Sequence, residues 1–398
     1  MTIGNRRLGA LVLTATMAIA ACSGTSPTTA PAASAPTPSA APVASGASVA
    51  PGSAGAVTYR CTKGDGTLSG AGSTFINPLL LKMAGDYNTK CGVQVNYQSV
   101  GSGAGVKDWQ QNTVDFGASD AFLSDSDMAA GAANGAPVEV PTTFGAVVIA
   151  YNLTGLSAPL KMTPDIIAGI FLGKISTWND AALAAANPGV NLPTTAISVV
   201  HRSDGSGTTS IFTNYLTAVS PAWVTTVGLG DPTKSAGKTV TWPVGQGASG
   251  NEGVTQGIKG TDGGVGYIDV AYAIQNQIPF ADVQNKSGNS ITPSLASIAA
   301  AANLPSYPPD LRFNLVNTAA AQGYPIAGTT WIIVYKDLSK VMKSQDRANA
   351  LVDFIWWAIH DGQADSAPLD YGALPANLVA QDEGAVKSIN WAGTPLLP

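Results

Sequence analysis

Three segments of the chain share one pattern, in which a short strand-like run enters a turn of Gly, Ser and Thr and a helical pattern follows. They are residues 68–75, 97–105 and 200–208. Strands that alternate with helices in this way predict an α/β architecture with central sheets. Each turn also places N–H groups and a hydroxyl at the positive end of a helix, where an anion can bind. Helix capping alone explains each turn equally well.

Other runs extend the same alternation. Strands are predicted at residues 93–97, 147–151, 197–200, 265–268 and 331–335, and helices over residues 75–88 and 208–219. Ser124 with Asp127 three residues later fits a capping box, and Ser344 is expected to open a helix that ends before Gly362.

Length and charge exclude several classes of protein. The 398 residues suggest about two globular units. Only 11% of them are charged, and the net charge is -5 without a basic stripe, so nucleic acid is not an expected partner. Three cysteines and two histidines argue against a dedicated zinc site.

The N-terminus predicts export. Arg6 and Arg7 precede an apolar run over residues 8–21, which is typical of a signal peptide at residues 1–21. The run covers about 21 Å as a helix, less than the roughly 30 Å of a bilayer core. Residues 19–22 resemble a bacterial lipobox, so Cys22 is expected to be acylated and to become the new N-terminus. A plain cleaved signal is the alternative.

A tether and a cysteine pair follow the leader. Residues 23–56 contain only Ala, Ser, Thr, Pro, Gly and Val, which cannot bury enough surface to order themselves. We therefore expect residues 22–56 to hold the folded part, from residue 57 onward, near the outer face of a membrane. Cys61 and Cys91 are an even pair in an oxidising compartment and are predicted to form a disulfide, with two unreactive thiols as the alternative.

The third turn carries the sharpest anion-binding signal. Arg202 precedes the amides and hydroxyls of residues 206–208, and a guanidinium matches the oxygens of a tetrahedral oxyanion. An ion pair between Arg202 and Asp204 that holds the loop is the structural alternative. A nucleophilic serine would need a base, and His201 and His360 are the histidines of this sequence.

Taken together, these motifs resemble the substrate-binding proteins of bacterial high-affinity phosphate ABC transporters. The similarity runs in the family's order through residues 66–390. It is carried by GAGSTF (70–75), VNYQSVGSGAGVK (95–107), TVDFGASDAFLSD (113–125), RSDGSGTTSIFTNYL (202–216), GNEGV (250–254), GGVGYIDVAYA (263–273) and YPIAGTTWIIVYKD (324–337).

The resemblance implies a two-lobed periplasmic-binding-protein fold of type II, with a mixed sheet flanked by helices in each lobe and a hinge between them. Lobe I is expected to comprise residues 57–142 and 325–398, and lobe II residues 143–324.

The resemblance also implies a set of phosphate-binding residues between the lobes. Asp120 would accept a hydrogen bond from the ligand, and Asp204 would orient Arg202. The other implied donors are Thr74, Phe75, Ser102, Arg202, Ser206, Gly207 and Thr208.

Asp120 gives this predicted site its selectivity. Phosphate near neutral pH keeps a P–OH that a carboxylate can accept, whereas fully ionised sulfate would meet only a buried like charge. We expect a non-enzymatic, monomeric receptor without a cofactor that delivers phosphate to a membrane permease. The alternatives are a receptor for sulfate or molybdate, a secreted phosphoester hydrolase using Ser206 with His201, and a surface sensor or adhesin.

Overall fold

The computed structural model describes residues 60–156 and 159–398. The predicted signal peptide, the lipidation site Cys22 and the tether at residues 22–56 lie outside the described residues. No helix in the described part of the chain is long and apolar enough to span a bilayer.

The strands of the described residues are β1 (Thr67–Gly72), β2 (Gln94–Ser99), β3 (Phe116–Ser119), β4 (Pro137–Asn152), β5 (Lys161–Met162), β6 (Ser198–Arg202), β7 (Gln246–Ala248), β8 (Gly264–Asp269), β9 (Asp282–Gln284), β10 (Ser290–Ile291), β11 (Ala327–Tyr335), β12 (Asn390–Trp391) and β13 (Thr394–Pro395).

The α-helices of the described residues are α1 (Asn77–Cys91), α2 (Ser102–Gln110), α3 (Asp125–Gly131), α4 (Pro164–Phe171), α5 (Ala181–Ala186), α6 (Gly207–Val219), α7 (Pro221–Val227), α8 (Gly250–Lys259), α9 (Val270–Gln275), α10 (Leu295–Ala302), α11 (Gln345–Ala358) and α12 (Ala376–Lys387). The alternation of strands and helices confirms the predicted α/β class.

One eight-stranded mixed sheet organises the molecule, in the order β2-β1-β3-β11-β4-β8-β6-β7. Strand β4 contributes to both of its halves. Residues 137–146 pair with β11, whereas residues 147–152 pair with β8. We call β2, β1, β3, β11 and residues 137–146 the first half of the sheet, and residues 147–152, β8, β6 and β7 the second half.

Local sequence explains where the helices begin. Ser124 and Asp127 form the predicted capping box of α3, and Ser344 caps α11 through the N–H of Arg347. Helix α1 starts at Asn77, two residues later than predicted, with Pro78 in its first turn. A proline is tolerated there because the first helical N–H groups have no partner inside the helix.

A disulfide joins Cys61 to Cys91, the last residue of α1, with the two Cα atoms 5.0 Å apart. This confirms the predicted pair. The bond ties the segment before β1 to the far end of α1, whose Leu79, Met83 and Tyr87 are fully buried. It therefore secures the helix that begins at the first Gly/Ser/Thr turn.

Candidate functional site

Five turns meet at the carboxyl ends of parallel strands. Strands β1, β2 and β3 run parallel in the first half of the sheet, and β6 and β7 run parallel in the second half. Ligands of open α/β sheets bind at such strand ends, beside the helices that follow. All eight residues predicted to bind the anion lie in or beside these turns, at the starts of α1, α2 and α6 and at the ends of β3 and β6.

Asp120 follows β3 and is 4% exposed. Its Oδ1 accepts hydrogen bonds from Ser73 Oγ at 2.5 Å and Thr330 Oγ1 at 2.6 Å, and its Oδ2 accepts one from Ser102 Oγ at 3.3 Å. Burial raises the pKa of Asp120 to about 6, although these hydroxyls and the charge of Arg202 pull it down. A carboxylate has four lone-pair positions, so one position on Oδ2 can still accept a proton-bearing ligand atom.

Arg202 lies at the end of β6, and its side chain is 1% exposed. Its Nε donates to Asp204 Oδ1 at 2.7 Å, Nη2 contacts Asp204 Oδ2, and Nη1 donates to Thr208 Oγ1 at 3.4 Å. Burial pushes the pKa of Asp204 upward, but the hydrogen bonds and charge of Arg202 outweigh it and leave the pKa below its ordinary value. The predicted orienting role of Asp204 therefore has a geometric basis.

The N-terminus of α6 touches the opposite side of the site. A Cβ added at Gly207 would lie 2.4 Å from Asp120 Oδ2 and 2.5 Å from Ser102 Oγ. Ser206 caps the helix through the N–H of Thr209, at 3.0 Å. Glycine is needed at position 207 because its backbone approaches the carboxylate more closely than any side chain would allow.

Predicted binding residues in the first half of the sheet already make hydrogen bonds to neighbouring residues. The N–H of Phe75 donates to Ser73 Oγ at 3.0 Å, and Ser102 Oγ accepts the N–H of Asp120 at 3.2 Å. Across the site, the N–H of Gly103 donates to the carbonyl of Gly205 at 2.8 Å. The turns of the two halves of the sheet are therefore in direct contact.

A pocket of about 260 Å³ lies beside Asp120 between side chains from both halves of the molecule. An ion pair between Lys238 Nζ and Asp127 Oδ2, 2.8 Å apart, lies at this pocket. The carbonyl of Lys238 also accepts the N–H of Ser206. The same segment thus contacts the first half and supports the start of α6.

The side chain of His201 contacts Trp242 and the backbone of Arg202, not Ser206, the nucleophile of the hydrolase alternative. Its ring stacks on Trp242 with ring centres 5.0 Å apart, and its Nδ1 lies 3.0 Å from the carbonyl oxygen of Arg202. Trp242 also stacks on Tyr267, whose hydroxyl accepts the N–H of Arg202 at 3.0 Å. His201 belongs to the aromatic packing that supports β6, and no hydrogen bond in the described residues joins it to Ser206.

Three site residues were not singled out from the sequence. Ser73 and Thr330 donate to Asp120, and Asn251 donates to Thr74 and Thr208. Asn251 ends a fourth strand–Gly/Ser–helix pattern at residues 247–251. The pattern that identified the other three turns could therefore have identified this one. Thr330 lies inside β11, where no turn signal marks it.

Metal ligands do not gather in the part of the chain that the structure describes: no group of three or more His, Cys, Asp or Glu residues there could hold an ion. The chemistry of the site is that of hydroxyl and N–H donors around one guanidinium and one buried carboxylate. This mixed sheet, with helix N-termini meeting between its two halves, defines a solute-binding protein of the periplasmic-binding-protein class.

Comparisons with known proteins agree with that class. The model of the PBP superfamily domain matches residues 50–361. The chain is 41% identical over 319 residues to a phosphate-binding protein PstS of Xylella fastidiosa, covering 79% of this chain and 84% of that protein. It is 38% identical over 334 residues to the PstS protein of Pasteurella multocida, covering 83% and 93%. The chain belongs to the PstS family of phosphate-binding proteins within this superfamily.

Solved structures share the fold. A high-affinity periplasmic phosphate-binding protein bound with phosphate, PfluDING, superposes with a TM-score of 0.65 at 24% identity, covering 80% of this chain and 93% of that one. A phosphate-binding protein from Stenotrophomonas maltophilia gives a TM-score of 0.61 at 21% identity, with coverages of 79% and 92%. The predicted periplasmic-binding-protein fold is therefore confirmed.

Proposed function

We propose that this chain binds inorganic phosphate between the two halves of its sheet and delivers it to an ABC-type phosphate permease on the outer side of the cytoplasmic membrane. Its membership of the PstS family supports this function. The observation that carries it is the buried Asp120 carboxylate, which lies against Gly207 at the positive end of α6. A carboxylate facing an anion site is useful only when the anion brings a proton.

The proposed binding set is Thr74, Phe75, Ser102, Asp120, Arg202, Ser206, Gly207 and Thr208, with Asp204 as the support of Arg202. Arg202 and the N-terminus of α6 supply positive potential, and the hydroxyls donate to ligand oxygens. Phosphate fits because its P–OH can donate to Asp120 Oδ2. Sulfate or molybdate would place an unprotonated oxygen against a buried carboxylate, which is strongly unfavourable.

We propose the path of β4 and β11 as the link between two lobes, residues 57–142 with 325–398 and residues 143–324. The change of partner along β4 near residue 146 and the start of β11 at Ala327 support this division. Closure over the ligand would remove water and strengthen each polar contact. The proposed leader, acylated Cys22 and tether would keep a monomeric receptor near its permease.

A hydrolase is the weaker proposal. It would need a base beside Ser206, and His201 instead stacks on Trp242 and contacts the Arg202 carbonyl. The relatives reported above are named as binding proteins.

Titration calorimetry on phosphate-stripped protein tests the proposal, with sulfate as the competitor. We expect phosphate to bind and sulfate to compete only at much higher concentration. The Asp120→Asn variant should lose most of this preference because its side-chain amide carries no charge and presents an N–H donor to sulfate. Equal binding of both anions by the unmodified protein, or an unchanged preference in Asp120→Asn, would contradict the assigned role.

A further inference from the structure

Asn251 connects two predicted phosphate-binding hydroxyls from opposite halves of the molecule. It is the second residue of α8, and its side chain is fully buried. Its Nδ2 lies 2.8 Å from Thr74 Oγ1 and 3.2 Å from Thr208 Oγ1, and its backbone N–H donates to Thr74 Oγ1 at 3.1 Å. The orientation of the amide is fixed because its Oδ1 accepts the N–H of Asp269 at 2.9 Å.

The acceptor positions of both hydroxyls are filled. A threonine hydroxyl has two lone pairs and a single proton. Thr74 Oγ1 accepts two hydrogen bonds from Asn251, and Thr208 Oγ1 accepts one from Asn251 and one from Arg202 Nη1. Within residues 60–156 and 159–398, no hydrogen bond takes up the proton of either hydroxyl. Each hydroxyl is therefore restricted to donating its proton.

We infer that Asn251 is a positioning residue that holds Thr74 and Thr208 as obligatory donors and so determines which oxygens of the bound anion carry the proton. This inference rests on the proposed phosphate-binding function. Two hydroxyls fixed as donors in this way cannot accept the proton of a P–OH, so the P–OH of the ligand is directed toward Asp120. Without the Asn251 amide, each threonine hydroxyl regains a lone pair, can rotate, and can accept the proton of a P–OH at its position.

The test compares Asn251→Ala with a matched control, Asn187→Ala. Asn187 is a matched control because it is also buried and its side-chain amide also makes three hydrogen bonds, in this case to the backbone of Lys161 and Leu183. Calorimetry gives the phosphate Kd, and ³¹P NMR at saturating phosphate gives the resonance of the bound ligand. That resonance depends on the protonation and hydrogen bonding of the ligand, which a loss of fold stability alone would not change.

We expect Asn251→Ala to weaken phosphate binding by roughly 10- to 100-fold, as the loss of two oriented donors implies, and to shift the bound ³¹P resonance. Asn187→Ala should lower the Tm yet keep both the Kd within about twofold and the resonance of the unmodified protein. Should Asn251→Ala fail to fold, Asn251→Asp keeps the acceptor for Asp269 and the side-chain size but removes the donor. It should weaken binding further, because it also brings a charge.

An Asn251 variant that keeps the resonance of the unmodified protein at saturation would overturn the inference, whether or not its affinity falls. In that case Asn251 would support the fold alone. A failure of the proposed function is distinguishable, because the unmodified protein would then show no phosphate binding in the same calorimeter.

Discussion

The pKa values of two aspartates on opposite sides of the site are shifted in opposite directions. Asp204, in the β6–α6 turn, is clamped by the guanidinium of Arg202, and its pKa is held below its ordinary value. Asp120, after β3, is surrounded by hydroxyls, and burial raises its pKa to about 6. Neighbours therefore decide the role of a carboxylate: one serves as a fixed counter-ion, and the other can respond to a proton.

The largest effect is expected at the clamp itself. Arg202→Ala should weaken phosphate binding at least 1000-fold, about 4 kcal/mol, because it removes the cation of the site and leaves the half-buried Asp204 without its counter-ion. Calorimetry measures the loss. Arg60→Ala is the matched control, because Arg60 likewise pairs with an aspartate, Asp353, at 3.1 Å but belongs to no part of the site. A similar loss in both variants would contradict the special role of the Arg202 clamp.

The disulfide should affect stability without affecting either aspartate. Replacing both Cys61 and Cys91 by Ser opens a loop of 30 residues and should lower the free energy of unfolding by about 3 to 4 kcal/mol. Urea unfolding measures this change, and the phosphate Kd should stay within about twofold. A large change in Kd would mean that the start of α1 depends on the covalent link at its other end.

A pH series separates the two aspartates most directly. The folded-state pKa of Asp120 is raised from 3.8 to about 6, so its contribution to stability is present below pH 4 and is lost as pH rises through about 6. The loss amounts to about 2 to 3 kcal/mol in the ligand-free protein, and Asp120→Asn should lack it.

The Asp204→Asn variant is the counterpart in that series. The pKa of Asp204 is lowered, so its contribution is present above the ordinary aspartate pKa and is lost as the solution becomes more acidic. Unfolding curves from about pH 2 to pH 8, which cover both windows, should therefore diverge from the unmodified protein in opposite directions: at the acidic end for Asp204→Asn and above about pH 4 for Asp120→Asn. Parallel behaviour of the two variants would remove the contrast.

The smallest effect is expected from a single methyl group between the two sides. Gly207→Ala places a Cβ against Asp120 and Ser102 and should weaken phosphate binding by about 1 to 3 kcal/mol, since the neighbours must move apart. Gly85→Ala is the control: it lies in α1 with nothing within 4 Å of its Cβ. That variant should bind normally and gain slightly in helix stability. Unchanged binding by Gly207→Ala would show that the two sides need not approach so closely.

Local patterns predicted those parts of the site that local structure determines. Turns of Gly and Ser at strand ends were visible in the sequence, as were the capping box at Ser124 and the helix start after Ser344. The ion pair between Arg202 and Asp204 was also visible in the sequence, because the two residues are two positions apart. This proximity distinguished Asp204 from Asp120. Thr330 could not be found in this way, because it reaches Asp120 through the pairing of β11 with β3, 210 residues apart along the chain.

Element boundaries were less predictable than element types. Helix α1 was expected from Phe75 but begins at Asn77, because the N–H of Phe75 donates to the hydroxyl of Ser73 in a turn. The sixteen residues of β4 were predicted only over 147–151. Its earlier part includes Pro141 and two threonines, and it extends as a strand because β11 pairs along it.

The pairing of Arg202 with Asp204 has a consequence for the water in which such a receptor works. Because the cation already has its counter-ion, the pair presents little net charge to an anion in bulk solution, and Arg202 acts on phosphate mainly through short-range contact in the site. Dissolved salt screens distant charges far more than enclosed dipoles. The affinity for phosphate should therefore change little with ionic strength.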